Sequence, residues 1–233
     1  MKNVSTSQNI EILYEDNHLI AVNKRSGDIV QGDKTGDVPL SEIVKQYIKE
    51  KYNKPGEVFL GVTHRLDRPT TGVVVFAKTS KALTRLNALF ADKDAVQKIY
   101  WAMTETVPQP ESGILEHWLA RNTQKNKSTA HTKQVANSKY AKLSYILFQK
   151  LDRYSLLEIQ LFTGRHHQIR SQLSAIGCII KGDLKYGAKR SNPDGSIHLH
   201  ARKIRFEHPV KREILEITAP TPNEPLWNAV KIR

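Results

Sequence analysis

The sequence predicts an α+β fold: a mixed, largely antiparallel sheet with helices packed around it. Two observations carry this. Short, β-branched apolar runs outnumber segments with helical apolar spacing. Several of those runs are adjacent and joined by only a few polar residues, as in antiparallel hairpins. With 233 residues the chain can bury a real core without disulfide or metal staples, and with no obvious linker or internal repeat it reads as one domain over 1–233.

Taken in order, IEILYEDNHLIAVNK (10–24) holds two apolar runs around Asp16-Asn17-His18 and reads as a hairpin. The polar residues 1–9 before it read as a flexible N-terminus. Leu40, Ile43, Val44, Tyr47 and Ile48 recur at helical spacing, with Pro39 near the start and Pro55-Gly56 as a stop. VFLGVT (58–63) and GVVVFAK (72–78) read as buried strands, joined by HRLDRPTTG. In TSKALTRLNALFAD a Thr79 or Ser80 cap precedes Leu83, Leu86 and Phe90 on one helical face. QKIYWAMTE (97–105) is a strand with Tyr100 and Ala102 on one face and Trp101 on the other. The polar stretch 121–139 reads as a basic loop. KLSYILFQK and YSLLEIQLF flank Asp152-Arg153 as a second hairpin, which leads into a helix carrying Ile169, Leu173 and Ile176, with Gly177 at its end. SIHLHARKIRFEHP and REILEITAP close the chain with further strands.

Thirty-six Lys and Arg against 23 Asp and Glu leave a net charge of +13, which points to a polyanionic partner. Between Glu116 and Asp152 the chain has no acid, yet it carries Arg121, Lys125, Lys127, Lys133, Lys139, Lys142 and Lys150. That stretch is either a solvated charge run or a phosphate-binding surface, and the basic character of the whole chain favours nucleic acid. The single cysteine, Cys178, excludes an internal disulfide and any CxxC motif, so a reducing cytoplasm is the expected home. The first residues lack the apolar region of a signal peptide, and VVVFA is too short to span a bilayer.

Four groups of residues could carry chemistry: Asp67 in its loop, Tyr100, the cluster Gly164 to Arg170, and His198-Leu199-His200. His198 and His200 would share a strand face and could chelate a metal, but no HExxH or cysteine cluster accompanies them, so no metal is expected. There is no G-x-S-x-G elbow, Walker A loop or G-x-G-x-x-G fingerprint. Asp67 between Arg65 and Arg68 admits two readings, a salt-bridged turn or a loop that presents one acid. An acid kept ionised away from water needs a fixed cation, and arginine suits because it keeps its proton and grips a carboxylate with two bonds.

HRLDRPTTGVVVFAK, KIYWA, GRHHQIRSQLSAIGCIIKGDLKYG and HLHARKIRFEHP, in this order, resemble the motifs of the RluA family of pseudouridine synthases, and ILYEDNHLIAVNK resembles that family's opening hairpin. The resemblance runs from about residue 10 to 218. It implies the pseudouridine synthase fold with a central catalytic cleft, in a short form lacking the N-terminal S4-type RNA-binding domain. It also implies an isomerase that needs no cofactor: a uridine in ribosomal or transfer RNA is flipped out, its uracil detached, rotated and rejoined through carbon. Asp67 would act at the ribose, by attack on C1′ or by removing a C2′ proton. Arg170 would pair with Asp67, Tyr100 would stack on the base and help remove the C5 proton, and Leu199 would line the uracil pocket. Arg65, Arg68, Arg165 and His167 are the expected RNA contacts, with Arg65 and Arg68 otherwise solvated loop charges, Tyr100 and Leu199 otherwise plain core, and His64 and His167 otherwise holding the loop and the helix start. The family default is a monomer.

Several positions depart from the family pattern. Thr71 stands for Ser, His166 for Thr, Gln172 for His, Ile179 for Pro, and Arg25 for the proline of N-K-P. They bear on RNA contacts and thus on which uridine is chosen. The competing reading is a non-catalytic RNA-binding or RNA-folding protein that keeps the pocket; a metal-dependent nuclease would need clustered carboxylates the sequence lacks.

Overall fold

The computed structural model describes residues 4–92 and 94–231. In chain order the elements are β1 (Ile12–Glu15), β2 (Leu19–Lys24), α1 (Leu40–Lys51), β3 (Gly61–Val62), β4 (Thr71–Ala77), α2 (Ser80–Ala91), β5 (Val96–Thr104), β6 (Ser112–Asn122), β7 (Lys127–His131), β8 (Ser138–Lys150), β9 (Ser155–Leu161), α3 (Gln168–Ala175), β10 (Leu199–Glu207), β11 (Ile214–Thr218) and α4 (Pro225–Asn228). The fold is α+β with largely antiparallel pairing, as the sequence predicts. The chain divides into two compact units, one of residues 1–96 and 201–221, the other of 97–200 and 222–233.

In the first unit the strands run β1-β2-β4-β10, with β11 on β10 and β3 on β4. The β1/β2 turn forms because Asp16 Oδ1 accepts from the N–H groups of His18 and Leu19, both at 2.8 Å. Strand β4 is buried along its whole length and pairs with β2 in a register that sets Lys24 opposite Gly72. Helix α2 begins at Thr79, whose side chain accepts from Ala82 N at 3.2 Å. The expected strand over 58–63 shrinks to β3, because β4 ends at Ala77, opposite Gly61, and residues 58–60 have no strand to pair with. Residues 1–3 of the polar N-terminus lie outside the described residues. Ser5, however, is tied down: its N–H and hydroxyl both donate to Asp28, at 3.0 and 2.6 Å.

In the second unit β5, β9, β8, β6 and β7 lie side by side, with β7 at the edge. Successive residues of β5 serve two cores. Ala102 joins Leu157, Ile159, Ile169, Leu173 and Leu199, with Tyr100 packed against that cluster. Trp101 and Met103 join Leu156 and Trp227 on the other face. The stretch 121–139 is not the expected loop. Its residues finish β6, form β7 and begin β8; β7 buries only Ser128, which is 2% exposed, and pairing with β6 holds a strand built almost without apolar residues.

Candidate active site

Of HRLDRPTTG (64–72), residues 64–70 lie in the loop 63–70 between β3 and β4 in the first unit, and Thr71 and Gly72 open β4. Its leading end is fixed on Val75: the Thr63 hydroxyl donates to Val75 O at 2.8 Å, and His64 Nε2 accepts from Val75 N at 3.0 Å. The His64 ring stacks on Phe90 with centroids 4.8 Å apart. Thus His64 holds the loop. A tight turn follows, closed by Thr70 N donating to Asp67 O at 3.0 Å. At its exit Gly72 has φ +113°, and a Cβ there would lie 2.3 Å from Ala201 O, so only glycine fits.

One buried cation organises this turn. Lys24, 1% exposed at the end of β2, donates from Nζ to the carbonyls of Arg25, Arg68 and Thr70 at 2.9, 3.0 and 2.8 Å. Burial pushes its pKa down to about 7, against the opposing pull of the Asp28 and Asp67 carboxylates. Two of the three carbonyls lie in the turn just after the half-buried Asp67, so the main chain that follows it is fixed. Arg65 is exposed. The Arg68 side chain pairs with Asp37 and also donates to Thr35 Oγ1 at 3.0 Å. Any RNA contact by Arg68 would compete with that pair.

In the second unit the start of α3 is set by Gln168, whose Oε1 accepts from Arg165 N at 3.0 Å and from the Thr163 hydroxyl at 2.8 Å. Arg165 is exposed, and its Nε donates to Tyr140 O at 2.9 Å. His167, expected among the RNA contacts, is only 7% exposed and turns inward. It has a left-handed φ of 52°, its Nδ1 lies 3.0 Å from the Tyr186 hydroxyl, and burial with the neighbouring Arg170 charge lowers its pKa to about 2. It serves the helix start as a neutral ring.

Arg170 is 5% exposed and held on two sides. Its Nε and Nη2 donate to Asp183 Oδ2 and Oδ1 at 2.6 and 2.8 Å, and its guanidinium carbon lies 5.1 Å from the centre of the Tyr186 ring. Asp183 is 1% exposed. Tyr100 and Leu199 belong to the same apolar cluster, with Tyr100 at its partly open margin. His198 and His200 share a face as expected, but both meet the Trp227 ring, at 5.4 and 5.9 Å, and His198 Nδ1 accepts from Asn192 at 2.9 Å. Burial lowers the His198 pKa to about 4. Among the described residues no group of three or more His, Cys, Asp or Glu is arranged to hold a metal ion. Also among them, no helix is long and apolar enough to cross a membrane.

Residues 18–175, a stretch that enters both units, match the family described as RNA pseudouridylate synthase. An uncharacterized RNA pseudouridine synthase of Chlorobaculum parvum is 32% identical over 96% of this chain and 74% of its own length. The chain belongs to the RluA family of RNA pseudouridine synthases. Its activity is that of an isomerase, forming pseudouridine from uridine in RNA. Ribosomal large subunit pseudouridine synthase C of Vibrio vulnificus is also 32% identical, over 90% of this chain and 65% of that protein. Against these two relatives the chain thus spans 65 to 74% of their length. The structure of human RNA pseudouridylate synthase domain containing 4 superimposes with a TM-score of 0.78 at 27% identity, covering 91% of this chain and 89% of that one.

Two of the departures from the RluA family pattern make definite hydrogen bonds. Gln172 is fully buried and donates from Nε2 to Leu115 O at 3.0 Å and to His117 Nδ1 at 3.1 Å. Arg25 donates to Asn9 O at 2.9 Å. Lys24 and Asp183 were not singled out from the sequence. A lysine closing an otherwise buried strand, LIAVNK, is the one local signal that could have drawn notice to the first.

Proposed function

We propose that this pseudouridine synthase modifies uridine in large-subunit ribosomal RNA, with Asp67 as the residue that acts at the ribose. The target follows from the relatives named for the ribosomal large subunit; transfer RNA is the alternative substrate. Asp67 either attacks C1′ or removes the C2′ proton, which frees the uracil to turn and rejoin through C5. Tyr100 offers a ring face to the base and a phenol for the C5 proton, and Leu199 packs beside it. Arg170 supplies fixed positive charge, and Arg65 and Arg165 supply exposed guanidinium groups for phosphate.

The observation that carries the reading is the Asp67 turn itself: a loop between two strands, fixed by a buried lysine on its main chain, that presents one carboxylate. The test is to map pseudouridine in ribosomal and transfer RNA from cells with and without the gene, restored as wild type or Asp67→Asn. We expect sites present with wild type and lost with Asp67→Asn, a drop of at least about 10⁴-fold in rate for loss of a nucleophile. Equal pseudouridine in both restored strains would overturn the role of Asp67. Equal pseudouridine in every strain would favour a non-catalytic RNA-binding protein.

A further inference from the structure

The β6/β7 hairpin is fastened to the start of α3 by contacts centred on His166, a position where the family pattern has threonine. His166 Nδ1 lies 2.9 Å from Ser128 Oγ, and Nε2 lies 3.1 Å from Asn126 Oδ1. A carbonyl oxygen only accepts, so the ring proton is assigned to Nε2 and the Ser128 hydroxyl donates to Nδ1. One imidazole thereby spans the hairpin turn, where Asn126 has φ 44°, and the buried Ser128 of the edge strand. The ring also stacks on His167 with centroids 3.8 Å apart. A threonine oxygen cannot reach both groups.

Neighbours complete the fastening. The Tyr186 hydroxyl accepts from Ser128 N at 2.9 Å and donates to Ser128 O at 3.0 Å, satisfying main-chain groups that an edge strand leaves unpaired. Lys185 Nζ donates to Asn126 O at 3.0 Å. The tip of the hairpin so held lies in the acid-free stretch and carries Arg121, Lys125 and Lys127. Mutual repulsion among those charges works against a fixed tip. A loose basic tip would take phosphate in many geometries; a fixed one accepts only a backbone that fits.

We propose that His166 is a positioning residue that restricts which uridines are modified, by locking the basic β6/β7 tip to the start of α3. This rests on the reading that the chain modifies uridine in RNA. The test uses the full chain as wild type, His166→Thr, and His166→Gln, whose amide can both donate and accept. The substrates are ribosomal and transfer RNA from cells lacking the gene. The readouts are the pseudouridine map, kcat and KM at the preferred site, and the melting temperature.

For His166→Thr we expect an unchanged melting temperature within a few degrees, a KM raised about tenfold with kcat within about twofold, and pseudouridine at uridines the wild type leaves alone. His166→Gln should return towards the wild-type map. A merely structural role would lower the melting temperature without adding sites. If His166→Thr fails to fold, Asn126→Ala and Ser128→Ala, each removing one end of the bridge, carry the same expectation. An unchanged map and KM, or a loss confined to kcat, overturns the proposal. A wild type that forms no pseudouridine on either RNA instead overturns the functional reading on which it rests.

Discussion

The loop that carries Asp67 is held through its main chain, whereas the side chain of Arg170 is gripped directly. Lys24 reaches the Asp67 turn from 44 and 46 residues away in sequence and binds carbonyl oxygens of Arg68 and Thr70. Asp183, 13 residues from Arg170, takes both arms of its guanidinium, and Tyr186 covers one face. The two devices suit two tasks. In the role proposed for Asp67, restraint applied to the main chain that follows it fixes where the carboxylate stands. In the role proposed for Arg170, part of the guanidinium is committed to a permanent partner and its charge is kept.

The comparison breaks most sharply at Asp183. Its replacement leaves the Arg170 guanidinium buried without its carboxylate, and removal of one partner from a buried pair costs about 3–5 kcal/mol. We therefore expect Asp183→Asn to lower the stability of the second unit by that amount in chemical denaturation. The double variant Arg170→Met/Asp183→Asn should recover a large part of the loss, since an apolar group of similar length needs no counter-charge. Full loss in the double variant would mean that Asp183 supports something other than Arg170.

Much of this was legible in the sequence. The paired hairpins, the Thr79 cap and the two faces of β5 follow from local periodicity, and the Asp67 loop follows from turn residues set between two apolar runs. Lys24 and Asp183 were not legible. Lys24 binds carbonyl oxygens, which every residue carries, so no side chain at positions 68 or 70 marks the contact. Asp183 stands in a recognisable motif, but pairing it with Arg170 needs the turn that brings residues 13 apart face to face. The basic stretch 121–139 was misread because its strands carry threonine, serine and lysine in place of the apolar alternation that marks a strand.

A smaller effect is expected at Lys24. Lys24→Met fits the space but leaves three carbonyls without that donor, at a cost of about 1–3 kcal/mol. The turn then loses its fixed position, and a displacement near 1 Å at a reacting group costs up to about 100-fold in kcat. The pH dependence separates this from plain destabilisation. With its pKa at about 7 in the fold, Lys24 holds three N–H donors below that pH and two above it, so activity should fall as pH rises through 7. Between pH 7 and 10.5 the unfolded chain binds a proton at Lys24 that the folded chain does not, so this group makes stability rise with pH over the same window. Activity and stability thus move in opposite directions, and Lys24→Met should abolish both trends. A wild-type rate that stays flat from pH 7 to 9 would detach the Lys24 charge from the turn.

The smallest effect is expected at Arg68, and it tests the main-chain restraint most cleanly. Its carbonyl accepts from Lys24 at 3.0 Å, while its side chain points elsewhere, to Asp37 and Thr35. Arg68 and Asp37 are 34% and 54% exposed as side chains, and an ion pair so open to water contributes within about 1 kcal/mol. Arg68→Ala keeps the carbonyl and removes the pair. Stability should therefore change by less than about 1 kcal/mol and kcat by less than about twofold, while KM for RNA rises only to the extent that the guanidinium leaves Asp37 for a phosphate. A large fall in kcat would show that the side chain, and not the carbonyl, sets the Asp67 turn, and the contrast drawn with Arg170 would then fail at its first term.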